Sequence, residues 1–139
     1  MKAGGAGYTR RVPTKKDADQ PLNSLEQARL VAELAQEKLA RDVVILDMRP
    51  VCSYTDYFVI ATGQNPRQTK AIYDEVRERL KQEHRAIPHA VEGEREASWI
   101  IADYIDVVLH VFTPEARAYY DLEDLWGDVP AIEVEAAAS

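Results

Sequence analysis

Nucleophilic chemistry needs a thiol or hydroxyl beside a base, and the candidates in this chain are Cys52, its one cysteine, and three histidines, His84, His89 and His110. A thiol becomes reactive when a nearby base or cation favours the thiolate. None of the histidines forms a local catalytic signature with Cys52, and His110 lies inside an apolar run. A partly buried thiol with incidental histidines is the simpler reading. A metal centre would draw on Asp103, Asp106 and His110, which lie close together in sequence. Side chains alternate across a strand, however, and aspartates flanking a tight turn are explained by turn chemistry alone. A single cysteine allows no internal disulfide and no cysteine-rich zinc centre. Thr62-Gly63-Gln64-Asn65 leads an apolar run into a helix start, where backbone N–H groups can meet an anion. It has too little glycine for a phosphate loop, and G-x-x-x-x-G-K-[ST] is absent. No catalytic residue, metal or cofactor is expected.

What remains is a surface. Trp99 follows an acidic loop with Glu92, Glu94 and Glu96 and precedes Asp103 and Asp106. An aromatic anchor ringed by carboxylates suits a hot spot for a basic protein partner. Equally, Trp99 could be core and the acids merely solvated. The sequence leaves both readings open.

These residues must be positioned by regular elements. Ser24 with Gln27 three residues on is a capping-box pattern. Leu25, Ala28, Val31, Ala32, Ala35 and Leu39 follow at helical spacing and predict a helix over 24–40. Val43-Val44-Ile45-Leu46 and Tyr57-Phe58-Val59-Ile60-Ala61 are continuous apolar runs suited to strands buried on both faces. Pro66 opens a second helix over 66–84, with Ile72, Val76 and Leu80 on one stripe. Residues 92–96 read as a charged loop. Residues 99–104 and 107–112 are β-rich and predict a tight antiparallel hairpin around Ile105-Asp106. Pro114 starts a last helix through Trp126, with Tyr119, Leu122 and Leu125 as its apolar side, and Gly127 stops it. An extended stretch over 129–134 follows. Helices interleaved with buried strands, one pair of them adjacent, predict an α/β fold: a single domain whose mixed β-sheet is covered by helices.

The 139 residues fit one domain. Net charge is -7 and uneven. Residues 1–20 carry Lys2, Arg10, Arg11, Lys15 and Lys16 against Asp17 and Asp19, so an acidic body follows a basic segment. An acidic body repels phosphates and favours basic partners, so no specific nucleic-acid site is expected. The expected division is a disordered basic arm over 1–22, a folded domain over 23–134 and a frayed tail over 135–139. The N-terminus has no apolar signal-peptide core, and no apolar run approaches the ~18 residues of a membrane span. Membrane association is not expected, and a cytoplasmic location is.

Several segments together resemble a known family. They are Tyr54-Thr55-Asp56-Tyr57-Phe58-Val59-Ile60-Ala61-Thr62-Gly63, Arg67-Gln68 leading to Ala71-Ile72, Glu92-Gly93, Trp99-Ile100-Ile101-Ala102-Asp103-Tyr104, 106–112 and 117–126. In order and spacing, over roughly residues 24–130, they resemble the ribosomal silencing factor family, also called the Iojap family. The resemblance implies a nucleotidyltransferase-like fold without the catalytic motif. It implies a translational repressor that binds the large ribosomal subunit through ribosomal protein uL-fourteen and sterically blocks the small subunit. It further implies a role in large-subunit maturation and a homodimer when free. The implied partner surface is Trp99 with Glu92, Gly93, Ile101, Asp103, Tyr104 and Asp106. In the family, glycine is usual at the turn position held here by Ile105. A β-branched residue resists positive φ, so this hairpin is expected to use another turn type or a strained one. Two other readings stay open: a nucleotidyltransferase-fold enzyme with an unconventional site, and a dimerising adaptor whose ribosome contact is secondary.

Overall fold

Asn23, not Ser24, caps the first helix, α1 (Ser24–Glu37). The Asn23 side chain accepts from the Glu26 N–H at 2.8 Å, and the Glu26 carboxylate accepts from the Asn23 N–H at 3.1 Å. The reciprocal box therefore lies one residue earlier than the Ser24 pattern predicts, because asparagine caps as well as serine. The helix also stops before 40. Leu39 takes φ 65°, and the Leu39 and Ala40 N–H groups donate to Gln36 and Ala35 carbonyls. That is a Schellman ending, with leucine where glycine is usual.

The computed structural model describes residues 22–134; the tail expected over 135–139 and all but Leu22 of the expected basic arm lie outside them. After α1 come β1 (Arg41–Asp47), β2 (Tyr57–Thr62), α2 (Pro66–His84), β3 (Ala90–Glu92), β4 (Trp99–Asp103), β5 (Val107–Phe112), α3 (Pro114–Tyr120), α4 (Leu122–Leu125) and β6 (Ala131–Glu133). The six strands form one mixed sheet in the order β3-β4-β5-β2-β1-β6. The central β2–β5 pair is parallel and the other pairs are antiparallel. β2 and β5 are buried throughout, as their continuous apolar runs require. β3 was not expected: Glu92, assigned to a loop, ends a short edge strand paired with β4. Three residues with one partly buried position carry too little pattern to announce a strand.

α1 and α2 pack on the same face of the sheet. Their buried stripes, including Val31, Leu34, Ile72, Tyr73, Val76 and Leu80, meet Ile45, Val59, Ile100, Ala102 and Leu109. The other face presents Leu46, Phe58, Ile60, Val108 and Phe112 and is covered in part by Ala116, Leu122, Trp126 and Val129. The helix expected through Trp126 is broken. Asp121 takes φ 48° and separates α3 from the one-turn α4. The break leaves Tyr119 and Leu125 exposed, so only Leu122 of the expected apolar side packs inward.

The β4–β5 hairpin forms where the sequence puts it, and its turn is strained. Ile105 has φ 75°, and the Asp106 N–H donates to the Tyr104 carbonyl at 2.9 Å, a γ-turn of the rare positive-φ kind. The Asp103 carboxylate accepts from the Ile105 N–H at 2.8 Å and holds it. Ile105→Gly should therefore raise stability by about 1 kcal/mol: relief of ~1–3 kcal/mol of backbone strain exceeds the extra unfolded-state entropy of glycine. Chemical denaturation checks this, and a loss of stability would contradict the strain argument.

Candidate partner-binding face

Cross-strand partners in a sheet point to the same side, so the pairings fix what the half-covered face carries. Glu92, Ile101 and His110 stand abreast on β3, β4 and β5. Ala90, Asp103, Val108 and Phe58 form the next row, and Trp99 stands beside Phe112. Along β4 the alternation is clean: Ile100 and Ala102 are buried against the helices, while Trp99, Ile101 and Asp103 are half-exposed on the opposite face.

Trp99 is held by aromatic neighbours. Its ring lies 5.0 Å from that of Phe112 and 4.5 Å from that of Tyr120, centroid to centroid. The indole N–H donates to His110 Nδ1 at 3.1 Å. The indole is thus neither pure core nor a free surface residue: one side is packed and the rest is open. Beside it lies a shallow depression of about 230 Å³, lined by Tyr54, Phe58, Ala90, Glu92, Ile101, Asp103, Val108 and His110. Its floor is mostly apolar, with carboxylates at the rim.

The seven residues singled out from the sequence do not all share this face. Trp99, Glu92, Ile101 and Asp103 do. Gly93 sits in the β3–β4 turn at φ 85°, and a Cβ there would overlap the Trp99 carbonyl oxygen. Its part is to let the turn close. Asp106 is exposed at the strained turn, and its main-chain carbonyl accepts from the Asp56 and Tyr57 N–H groups at 3.0 and 3.1 Å. Tyr104 does not belong to the face. It is buried on the helix side, where burial first and then neighbouring Tyr73 push its phenol well above the usual range. The acidic loop also divides: Glu92 stands on the open face, whereas Glu94 lies 3.9 Å from Lys70 on α2.

Residues that sequence reasoning passed over complete the site. His110, Phe58 and Val108 line the depression, and Phe112 and Tyr120 flank Trp99. The available signal was the hairpin itself. A turn centred on Ile105-Asp106 sets Trp99 opposite Phe112 and Ile101 opposite His110. Arg117 anchors the C-terminal cover: it donates to Thr62 Oγ1 at 2.7 Å and pairs with the Glu123 carboxylate at 2.9 and 3.0 Å.

Among the described residues no group of three or more His, Cys, Asp or Glu side chains is placed to hold a metal ion. No helix among them is long and apolar enough to cross a membrane.

Burial lowers the His110 pKa to about 4. The native state therefore favours neutral His110, and the unfolded chain, with a histidine near 6.5, binds the extra proton between those values. Stability from this group is fully present above pH ~6.5 and falls as the pH drops toward 4, by about 3 kcal/mol in all. Denaturation midpoints of the protein and of His110→Phe across pH 4–7 should converge at neutral pH and diverge in acid. Parallel curves would contradict the assignment.

A family model described as "Ribosomal silencing factor during starvation" matches residues 21–139. The chain belongs to the ribosomal silencing factor family. The Ribosomal silencing factor RsfS of Halalkalibacterium halodurans is 36% identical over 118 residues, covering 85% of this chain and all of that one. A mouse relative, "Mitochondrial assembly of ribosomal large subunit protein 1", is 36% identical over 70% of this chain and 43% of its own length. The crystal structure of a Chromobacterium violaceum protein is similar with a TM-score of 0.73 at 33% identity, covering 84% of this chain and 97% of that one. For a ribosomal silencing factor the implied class of function is ribosome-associated regulation of translation. Every strand of the half-open face lies within the span the ribosomal silencing factor model matches.

Proposed function

We propose that this protein is a cytoplasmic translational repressor that binds the large ribosomal subunit and keeps the small subunit from joining. Residues 23–134 form the binding unit, and the contact is made to ribosomal protein uL-fourteen. The observation that carries the reading is the half-open sheet face, on which Trp99 is stacked against Phe112 and Tyr120 beside Glu92 and Asp103. A preformed aromatic anchor costs little ordering entropy on binding. Adjacent carboxylates select a basic partner and reject phosphate. Family membership and the large-subunit assembly named for the mouse relative support the choice of subunit and a further role in its maturation.

The mechanism is steric. A protein seated on a bridge surface excludes the other subunit by mass action, and no bond is made or broken. The test is co-sedimentation with separated subunits at rising salt. Binding to the large subunit alone, weakening with salt as exposed charge pairs are screened, is the expected result. Binding to neither subunit would refute the proposal. In the absence of ribosomes the free protein is expected to self-associate, which light scattering reads directly.

A further inference from the structure

His110 lies across the middle of the candidate face and is nearly inaccessible to solvent. Its Nδ1 accepts the Trp99 indole N–H, so Nδ1 carries a lone pair and the ring proton sits on Nε2. The Phe58 ring packs on the imidazole at 4.5 Å, and Phe112 lies beyond it. Nε2 is buried and has no hydrogen-bond partner. A buried N–H left unsatisfied is costly, and such groups are rare in native proteins. Here the cost is borne at one particular place. His110 lines the depression between Ile101, Asp103 and Val108, and Trp99, which occupies Nδ1, does not. The unsatisfied donor is the ring nitrogen that Trp99 leaves free, on a side chain that lines the depression.

We propose that His110 Nε2–H is the hydrogen-bond donor that meets an uncharged oxygen, a main-chain carbonyl or a hydroxyl, of a basic protein segment docked in this depression. The acceptor's chemistry follows from its surroundings. Glu92 and Asp103 at the rim repel a carboxylate or phosphate, so the oxygen that reaches the floor carries no charge. The same carboxylates attract lysine or arginine flanking that oxygen. The apolar walls formed by Phe58, Ala90, Ile101 and Val108 exclude water, which strengthens the bond once it is made. With the Trp99 N–H on Nδ1 the ring proton sits on Nε2, and without that bond an acceptor at Nε2 still draws the proton there. Burial keeps the ring neutral through the physiological range, so the donor is present at constant strength. The inference rests on the proposed ribosome-binding reading and adds a residue that does its work below the visible surface.

The test compares the full-length protein with His110→Phe, which keeps an aromatic ring in the stack and removes both nitrogens. At pH 7 the free variant should be about as stable as the parent, because removing the unsatisfied Nε2–H offsets the loss of the Nδ1 acceptor that the Trp99 N–H uses. Its affinity for purified large subunits should nevertheless fall roughly tenfold. The loss should persist in a Trp99→Phe background, where the indole bond to His110 is already gone. An unaltered affinity of His110→Phe while the parent binds would overturn this inference and leave the proposed function standing. A loss of affinity matched by a loss of folded protein, or one that vanishes in the Trp99→Phe background, would also overturn it, by reducing His110 to a support for the core or for Trp99. Failure of the parent to bind either subunit would sink both readings together.

Discussion

Trp99→Ala should weaken binding to the large ribosomal subunit at least ~30-fold, the most that any single truncation on this face is expected to do. The reason lies in the stack. Phe112 and Tyr120 hold the indole at 5.0 and 4.5 Å, and His110 fixes its N–H. A partner therefore meets an anchor whose rotamer is already chosen. Truncation removes the anchor's contact area and exposes the His110 and Phe112 rings to water. Hot spots of this kind typically cost ~2–4 kcal/mol on truncation. Because Trp99 is half-buried, some stability will be lost as well, so affinity should be scaled to the folded fraction measured by circular dichroism. Unchanged binding by folded Trp99→Ala would remove this face from the proposed interface.

Gly93→Ala should destabilise the fold by about 3 kcal/mol or more. Two effects combine. At φ 85° an L-residue is strained wherever it sits, and here a Cβ would also overlap the Trp99 carbonyl oxygen across the turn. That oxygen is backbone inside a paired strand and cannot swing aside as a flexible side chain would. The turn must open, and β3 then loses its pairing of Glu92 with Ile101 and Ala90 with Asp103. One wall of the depression goes with it, so the molecules that remain folded should also bind the large subunit more weakly. Urea denaturation reads the first effect and co-sedimentation the second. A stability within ~0.5 kcal/mol of the parent would mean that the turn tolerates a side chain and that Gly93 is not its determinant.

Both predictions concern residues that the sequence singled out, yet for reasons only partly visible in it. Trp99, Glu92 and Asp103 stood out as an aromatic among acids, and the structure sets them on one face. Gly93 was picked with the partner surface, but what it does is steric and internal, and the clash partner is known only once β3 is seen to pair with β4. Tyr104 shows the opposite case. It follows Asp103 directly, but a strand sends consecutive side chains to opposite faces, and Tyr104 goes to the helices. His110 looked incidental because its neighbours in sequence are apolar. Its meaning comes from Trp99, eleven residues away, through one hydrogen bond.

The sequence by itself determined the elements whose signals are local. Continuous apolar runs made β2 and β5 buried strands. Pro66 opened α2, and the near-absence of residues between 99–104 and 107–112 forced a hairpin. At Ile105 the expectation was another turn type or a strained one, and its φ of 75° shows the strained one. Tertiary structure alone decided what depends on more than one element. The edge strand β3 exists because β4 offers its backbone. The last helix breaks at Asp121, whose left-handed conformation divides the expected helix into α3 and α4. α1 and α2 crowd onto one face, and the C-terminal segment covers only part of the other. Local patterns fix which residues leave the water. Which part of each face the other described elements cover is settled by the tertiary packing.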